Sequence, residues 1–246
     1  MQGGTSQKAQ PFSEHVRELR RRLLIAVAAL ILGSVAGYLI HGTLFSILTK
    51  PLHEKLYYTT PTGGFNAIVK ISILFGMTVA VPVFIYEIAR FISPGFIKYR
   101  RHALWLVLFS VMLASLGVLF AYYVSLPAAL HFLANVDSND LQSIITVNEY
   151  LNFVIGYVAG FALLFQLPLL MLLINRIKPQ RPGRLMRIQR YVILISFIVA
   201  AFLTPTPDPI NQAIMAFPII LLYQFSIGLV WFVNRRRKIT VAEPAP

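Results

Sequence analysis

Four mostly apolar runs of membrane-crossing length, Leu23–Leu44, Ile68–Phe91, Ala103–Leu126 and Tyr150–Ile174, limit this chain more than any other feature. A helix crossing the ~30 Å hydrocarbon core of a bilayer takes about 20 predominantly apolar residues. Lipid offers backbone amides no partner, so each run must be an α-helix that satisfies its own hydrogen bonds. The C-terminal third is less regular. Tyr191–Leu203 supplies only 13 residues between Arg190 and the turn TPTPDP, after which Ile210–Val233 is long enough again. At 1.5 Å per residue such a segment rises only about 20 Å. A fifth span is therefore expected either to thin the bilayer or to borrow length from its flanks.

The basic residues decide between five spans and six. With alternating loops, one side receives Lys8 and the Arg17–Arg22 cluster, then Arg90, Lys98, Arg100 and Arg101, then the Arg176–Arg190 group, and finally Arg235–Lys238. All but three of the 22 Lys and Arg residues fall there; Lys50, Lys55 and Lys70 are left for the other side, together with Glu54, Asp137, Asp140, Glu149 and Asp208. Positive charge collects in cytoplasmic loops, so six spans with both termini cytoplasmic is the consistent count. Five would leave Arg235–Lys238 outside. The larger exterior segments, Gly42–Asn66 and Pro127–Glu149, keep apolar content (LFSILTKPLHEKL; AALHFLANV) that suits short interfacial helices. The expected fold is all-α: a polytopic membrane protein with six transmembrane helices, short fifth and sixth helices, and an external cap of interfacial segments. Residues 1–238 form one membrane domain, with 239–246 as a disordered cytoplasmic tail.

Composition removes several functions. A formal charge of +13 invites a nucleic-acid reading, but the charge is spread over four juxtamembrane segments rather than gathered on a folded domain. There is no cysteine, which excludes disulfides, thiolate catalysis and cysteine-held metals. The polar start MQGGTSQKAQP and the lack of a small-residue cleavage pattern make Leu23–Leu44 a retained span rather than a removable signal. No nucleophile elbow, HExxH or P-loop occurs, and His15, His41, His53, His102 and His131 are not paired at metal-ligand spacing. The chain reads as no enzyme, with no cofactor. Proton-coupled transporters hold ionisable groups at mid-bilayer, whereas the deep polar residues here are Gln166 and Gln224, neither of which titrates. A small-solute secondary transporter is therefore the alternative reading, not the first.

Six stretches in order carry a resemblance. They are SEHVRELRRRLL (13–24), KPL (50–52), VPVFIYEIARFISPGFIKYRR (81–101), GVLFAYYVSLPAALHFLA (117–134), EYLNFVIGYVAGFALLFQLPL (149–169) and FLTPTPDPINQ (202–212). Together the chain resembles the TatC family, the polytopic subunit of the twin-arginine protein translocase, over about Pro11 to Lys238. The resemblance implies an inner-membrane receptor for the twin-arginine signal peptides of folded cargo. It would assemble with itself, with membrane lipids and with TatA-type and TatB-type single-span partners, in transport driven by the proton-motive force.

The family's glutamate in the HxxELRxRL pattern helps hold the arginine pair, and here it is Glu18, followed by Leu19 and Arg20. Arginine forms bidentate, charge-assisted bonds to a carboxylate that lysine cannot copy. On a helix starting near Ser13, Glu18 also reaches Arg21 and Arg22 at i+3 and i+4, pairs worth roughly 0.2–0.5 kcal/mol, so simple helix pairing is the competing reading. Phe91 and Pro94 belong to the FxxP turn of the first cytoplasmic loop. Six residues after that proline the family has a second recognition glutamate; this chain has Arg100. Glu87 either supplies the missing carboxylate or pairs with Arg90 at i+3. The family's FExP in span four reads FQLP here, so Gln166, beside Pro168, docks a partner's helix or bonds within its own bundle. Pro51, Pro205 and Asp208 mark turns, with Asp208 capping a helix that begins at Pro209.

Overall fold

Nearly every described residue lies in a helix of this computed structural model, which describes residues 12–52, 56–92, 100–136, 145–203 and 209–236. The helices are α1 (Phe12–Leu39), α2 (His41–Thr49), α3 (Gly63–Ile92), α4 (Arg100–Phe120), α5 (Leu126–Val136), α6 (Val147–Leu164), α7 (Leu167–Ile177), α8 (Pro182–Leu203) and α9 (Pro209–Arg236). Six stretches are long and apolar enough to cross a membrane: 16–39, 63–92, 101–131, 147–177, 182–202 and 212–235. The six-span expectation holds. The last two helices are not short, however: α8 has 22 residues and α9 has 28. Span five gains its length at its N-terminal end, where the helix runs on through Arg184, Arg187 and Arg190. Long arginine stems let the charge reach the interface while the backbone stays helical.

Two spans are composite. Span three passes from α4 through a π-helical turn, Ala121–Ser125, into α5. Pro127 has no N–H for the carbonyl of Tyr123, four residues back, and a widened turn relieves the clash a proline ring makes there. Span four breaks between α6 and α7 because Pro168 cannot continue the ladder. The chain closes the gap with a tight Gln166 N–H bond to the Leu163 carbonyl (3.0 Å) before Leu170 resumes on the Gln166 carbonyl (3.0 Å). Pro82 interrupts nothing, and α3 is continuous past it.

The tightest helix pair is α1 against α3. A Cβ on Gly76 would lie 2.6 Å from the Leu30 carbonyl oxygen and 2.7 Å from the Ser34 nitrogen. One on Gly33 would meet the Gly76 Cα at 2.9 Å, and one on Gly37 the Ser72 carbonyl oxygen at 2.9 Å. Helices in lipid associate through packing rather than through a hydrophobic drive, and small residues let backbones touch. Elsewhere the core is built on α6, where Leu151, Val154, Tyr157 and Phe161 are fully buried.

The segments expected to form a cap contain the helices α2 and α5. A parallel bridge between Tyr57 and Thr146 ties the two segments together. The Tyr150 hydroxyl donates to the Leu48 carbonyl (2.6 Å) and the Tyr122 hydroxyl to the Ile47 carbonyl (2.8 Å). At the same end, the Lys70 ammonium of α3 donates to Asn148 and to Asn152 (2.6 Å) of α6.

Candidate functional site

The glycine seam continues into a charged cluster. The pairings Gly37/Ser72, Gly33/Gly76 and Arg22/Glu87 keep one antiparallel register, so the start of α1 meets the end of α3. There the Arg22 guanidinium lies between two carboxylates. Its Nη1 donates to Glu87 Oε2 at 3.2 Å and to the Glu87 backbone carbonyl at 3.4 Å. Its Nη2 donates to Glu18 Oε1. The guanidinium also lies 6.0 Å from the centre of the Phe91 ring, at the outer limit of a cation–π contact.

Burial grades across this cluster. The Glu18 side chain is 41% exposed, Arg22 10% and Glu87 7%. Glu18 forms the rim and Glu87 the floor, with Arg22 shared between them. Among the described residues Arg22 Nε is buried without a hydrogen-bond partner, so there the fork is satisfied at its tip and not at its root. Leu19, Arg17, Arg20 and Arg21 are exposed around this rim.

Each expected site residue can now be placed. Glu18, Glu87 and Phe91 converge, although α1 and α3 are far apart in sequence. Glu18 pairs with Arg22 as helix spacing allows, but Arg22 is held from the other side too. Glu87 pairs with Arg22 across the seam, and Arg90, the i+3 alternative, is exposed. Arg22 is thus the member of this cluster that sequence reasoning missed. Its i+4 spacing to Glu18 was visible, but its long-range partner was not. Arg20 stays on the exposed face. Pro94, Pro205 and Asp208 lie outside the described residues, as does the side chain of Arg100, whose backbone opens α4. α9 does begin at Pro209. Pro51 follows α2 in a turn closed by the Leu52 N–H on the Thr49 carbonyl (3.1 Å).

Gln166 forms a separate site. It is fully buried, and its amide bonds within the bundle. The Ser110 hydroxyl donates to Gln166 Oε1 (2.7 Å), while Gln166 Nε2 donates to the carbonyls of Ser110 (3.1 Å) and Ala162 (3.4 Å). Its polar atoms serve α4 and α6. The open surface beside it is an apolar groove of about 640 Å³, lined by Phe120, Ser125, Phe165 and, from α9, Ile214, Phe217 and Phe225. The Ser125 hydroxyl there is buried without a hydrogen-bond partner.

A family model described as "Sec-independent protein translocase protein (TatC)" matches residues 14–218. The TatC of Aquifex aeolicus is 34% identical over 236 residues, covering 93% of this chain and 98% of that protein. The TatC of Magnetococcus marinus is 35% identical over 238 residues, covering 94% and 87%. The fold also matches a crystal structure titled as the twin-arginine translocase receptor TatC, with a TM-score of 0.79 and 33% identity over 90% of this chain and all of that one. A second crystal structure with that title, in the detergent DDM, gives 0.78 over 87% and 98%. Matched over most of its length in sequence and in fold, the chain belongs to the TatC family, as a multi-pass inner-membrane component of the Sec-independent protein translocase.

Proposed function

We propose that this chain is the receptor that binds twin-arginine signal peptides of folded proteins and nucleates their translocation site, without chemistry of its own. The observation that carries the reading is the convergence of Glu18, Glu87 and Phe91 at one end of the α1–α3 seam. Both termini and this end of the seam face the cytoplasm, where the basic loops collect. Glu18, at the rim, accepts a guanidinium of the peptide. Glu87 supplies the second negative charge in place of the family glutamate that Arg100 replaces, and acts from behind Arg22. Leu19, Arg20 and Phe91 border the entry, and the family pattern assigns Pro94 and Arg100 to the same site; its surplus cations repel a basic peptide that misses the acid.

TatA-type and TatB-type single-span helices dock along the span-four break at Gln166 and Pro168 and the C-terminal hairpin. The groove between Phe165 and α9 supports this, since it is apolar and opens beside the break. Energy comes from the proton-motive force through the assembled system, because Gln166 has no proton to exchange. The test is photocrosslinking from positions 19 and 100, which leaves Glu18 in place, to a twin-arginine signal peptide. Labelling from position 19 that a Lys–Lys peptide does not reproduce is the expected result; equal labelling by both peptides would refute the receptor reading.

A further inference from the structure

The apolar groove beside α9 ends halfway through the membrane. We propose that it holds an acyl chain of one phospholipid from the leaflet on the α2 and α5 side, and that an ester carbonyl of that lipid accepts a hydrogen bond from the Ser125 hydroxyl. The sidedness of the basic loops makes this the outer leaflet. The site is independent of signal-peptide binding.

Length selects the occupant. On α9 the lining runs from Ala213 to Phe225, about 18 Å at 1.5 Å per residue, which is close to one leaflet of a ~30 Å hydrocarbon core. Beyond Phe225 the slot is shut. Ile227 and Val230 of α9 pack with Leu185 of α8 and Leu172 of α7, the Tyr223 hydroxyl donates to the Leu185 carbonyl (2.8 Å), and Asn175 Nδ2 donates to Asn234 Oδ1 (2.8 Å). A membrane-crossing helix needs an apolar track of about 20 residues through both leaflets, so it can lie over the mouth of this slot without filling it. An acyl chain reaches from the interface to mid-bilayer and stops there, as the slot does.

Ser125 selects the chemistry. It is the one polar residue of the lining and is 1% exposed. Serines in membrane helices settle their hydroxyl on the carbonyl four residues back, as Ser34, Ser72, Ser196 and Ser226 do here at 2.6–2.8 Å. Ser125 does not. The π-helical turn gives the Ala121 carbonyl to the Leu126 N–H, five residues on, and among the described residues the Ser125 hydroxyl has no acceptor. A buried donor without a partner is costly in hydrocarbon. Ser125 lies within two helical turns of the end of the stretch 101–131, which is longer than the ~20 residues the hydrocarbon core takes, and so stands where acyl chains meet their ester groups. A phospholipid brings a carbonyl to that depth on the same molecule as the chain that fills the slot. A partner helix has its carbonyls committed to its own ladder.

The experiment is native mass spectrometry of the full chain in detergent, titrated with palmitoyl-oleoyl phosphatidylcholine and with its diether analogue, which has the same headgroup and chain lengths but no carbonyl. The zwitterionic headgroup avoids attraction to the basic loops. Wild type should retain one diester lipid about fivefold more tightly than the diether, the worth of one net hydrogen bond. Ser125→Ala should bind both lipids equally, at the diether level, with no fall in its unfolding midpoint, because it removes a donor that has no protein partner. Ala213→Trp, at an exposed position at the open end of the slot, should lose the retained lipid of either kind. Equal binding of diester and diether by wild type overturns the proposal, as does a preference that survives in Ser125→Ala or retention unchanged in Ala213→Trp. A single-span partner that crosslinks to position 213 in place of lipid would assign the slot to that helix and overturn it as well.

Discussion

At the residue scale, the proposed receptor role turns on Glu18, the less buried acid of the cluster. Replacing Glu18 by Gln keeps an acceptor of the same shape but removes its charge. Hydrogen bonds to charged groups are worth about 1.5–3 kcal/mol against about 1 for neutral ones, so Arg–Arg peptide affinity should fall roughly tenfold. Titration of labelled peptide checks this, with Lys–Lys binding little changed. Gln166 makes a contrasting prediction. Its amide satisfies the Ser110 hydroxyl and two carbonyls inside the bundle. Gln166→Leu should therefore cost about 1–3 kcal/mol of stability for the groups left unpartnered, read as a lower unfolding midpoint in detergent. Loss of partner copurification with an unchanged midpoint would show that Gln166 docks a partner through its own amide rather than by holding the span-four break in shape. The pairing of Glu18 with Arg22 was legible in a short motif because it spans one helical turn. The pairing of Arg22 with Glu87 was not, because that partner is 65 residues away and depends on a helix register that no periodicity displays.

At the scale of elements, the α1–α3 seam is the joint on which the site depends. Gly76→Val would drive methyl groups into the Leu30 carbonyl and the Ser34 nitrogen, which are backbone atoms that cannot swing aside. The expected result is loss of folded protein by size-exclusion in detergent, with Gly76→Ala milder but still destabilised. The helices themselves were readable wherever apolar residues ran unbroken. The true start of α8 was hidden because Arg184, Arg187 and Arg190 mimic a loop by composition while staying helical. The π-helical turn at Ala121–Ser125 was likewise unannounced. A proline marks a disturbance, but whether the chain widens, breaks or continues depends on packing: Pro127, Pro168 and Pro82 give one instance of each.

For the whole molecule, the testable quantity is sidedness. Because the sequence has no cysteine, single replacements report topology without background. Tyr58→Cys in the segment joined to the α6 entrance should react with a membrane-impermeant maleimide from the periplasmic face. Gln180→Cys, between α7 and α8, should react only after the cytoplasmic face is opened. Tyr58 is exposed and Gln180 is half-buried at the protein surface. The reverse pattern would turn the charged cluster away from cytoplasmic cargo and end the receptor reading. The span count was legible as a whole because bilayer thickness imposes one length on every crossing, whereas the arrangement of the crossings was not.

The first helix leans on the rest along a single stripe. Leu24, Ile31, Leu32 and Val35 point away from it, into the exposed face. Tolerance along α1 should therefore alternate like the two sides of a zip fastener: any oily side chain will serve on the outward teeth, and almost nothing but hydrogen will serve at Gly33 and Gly37.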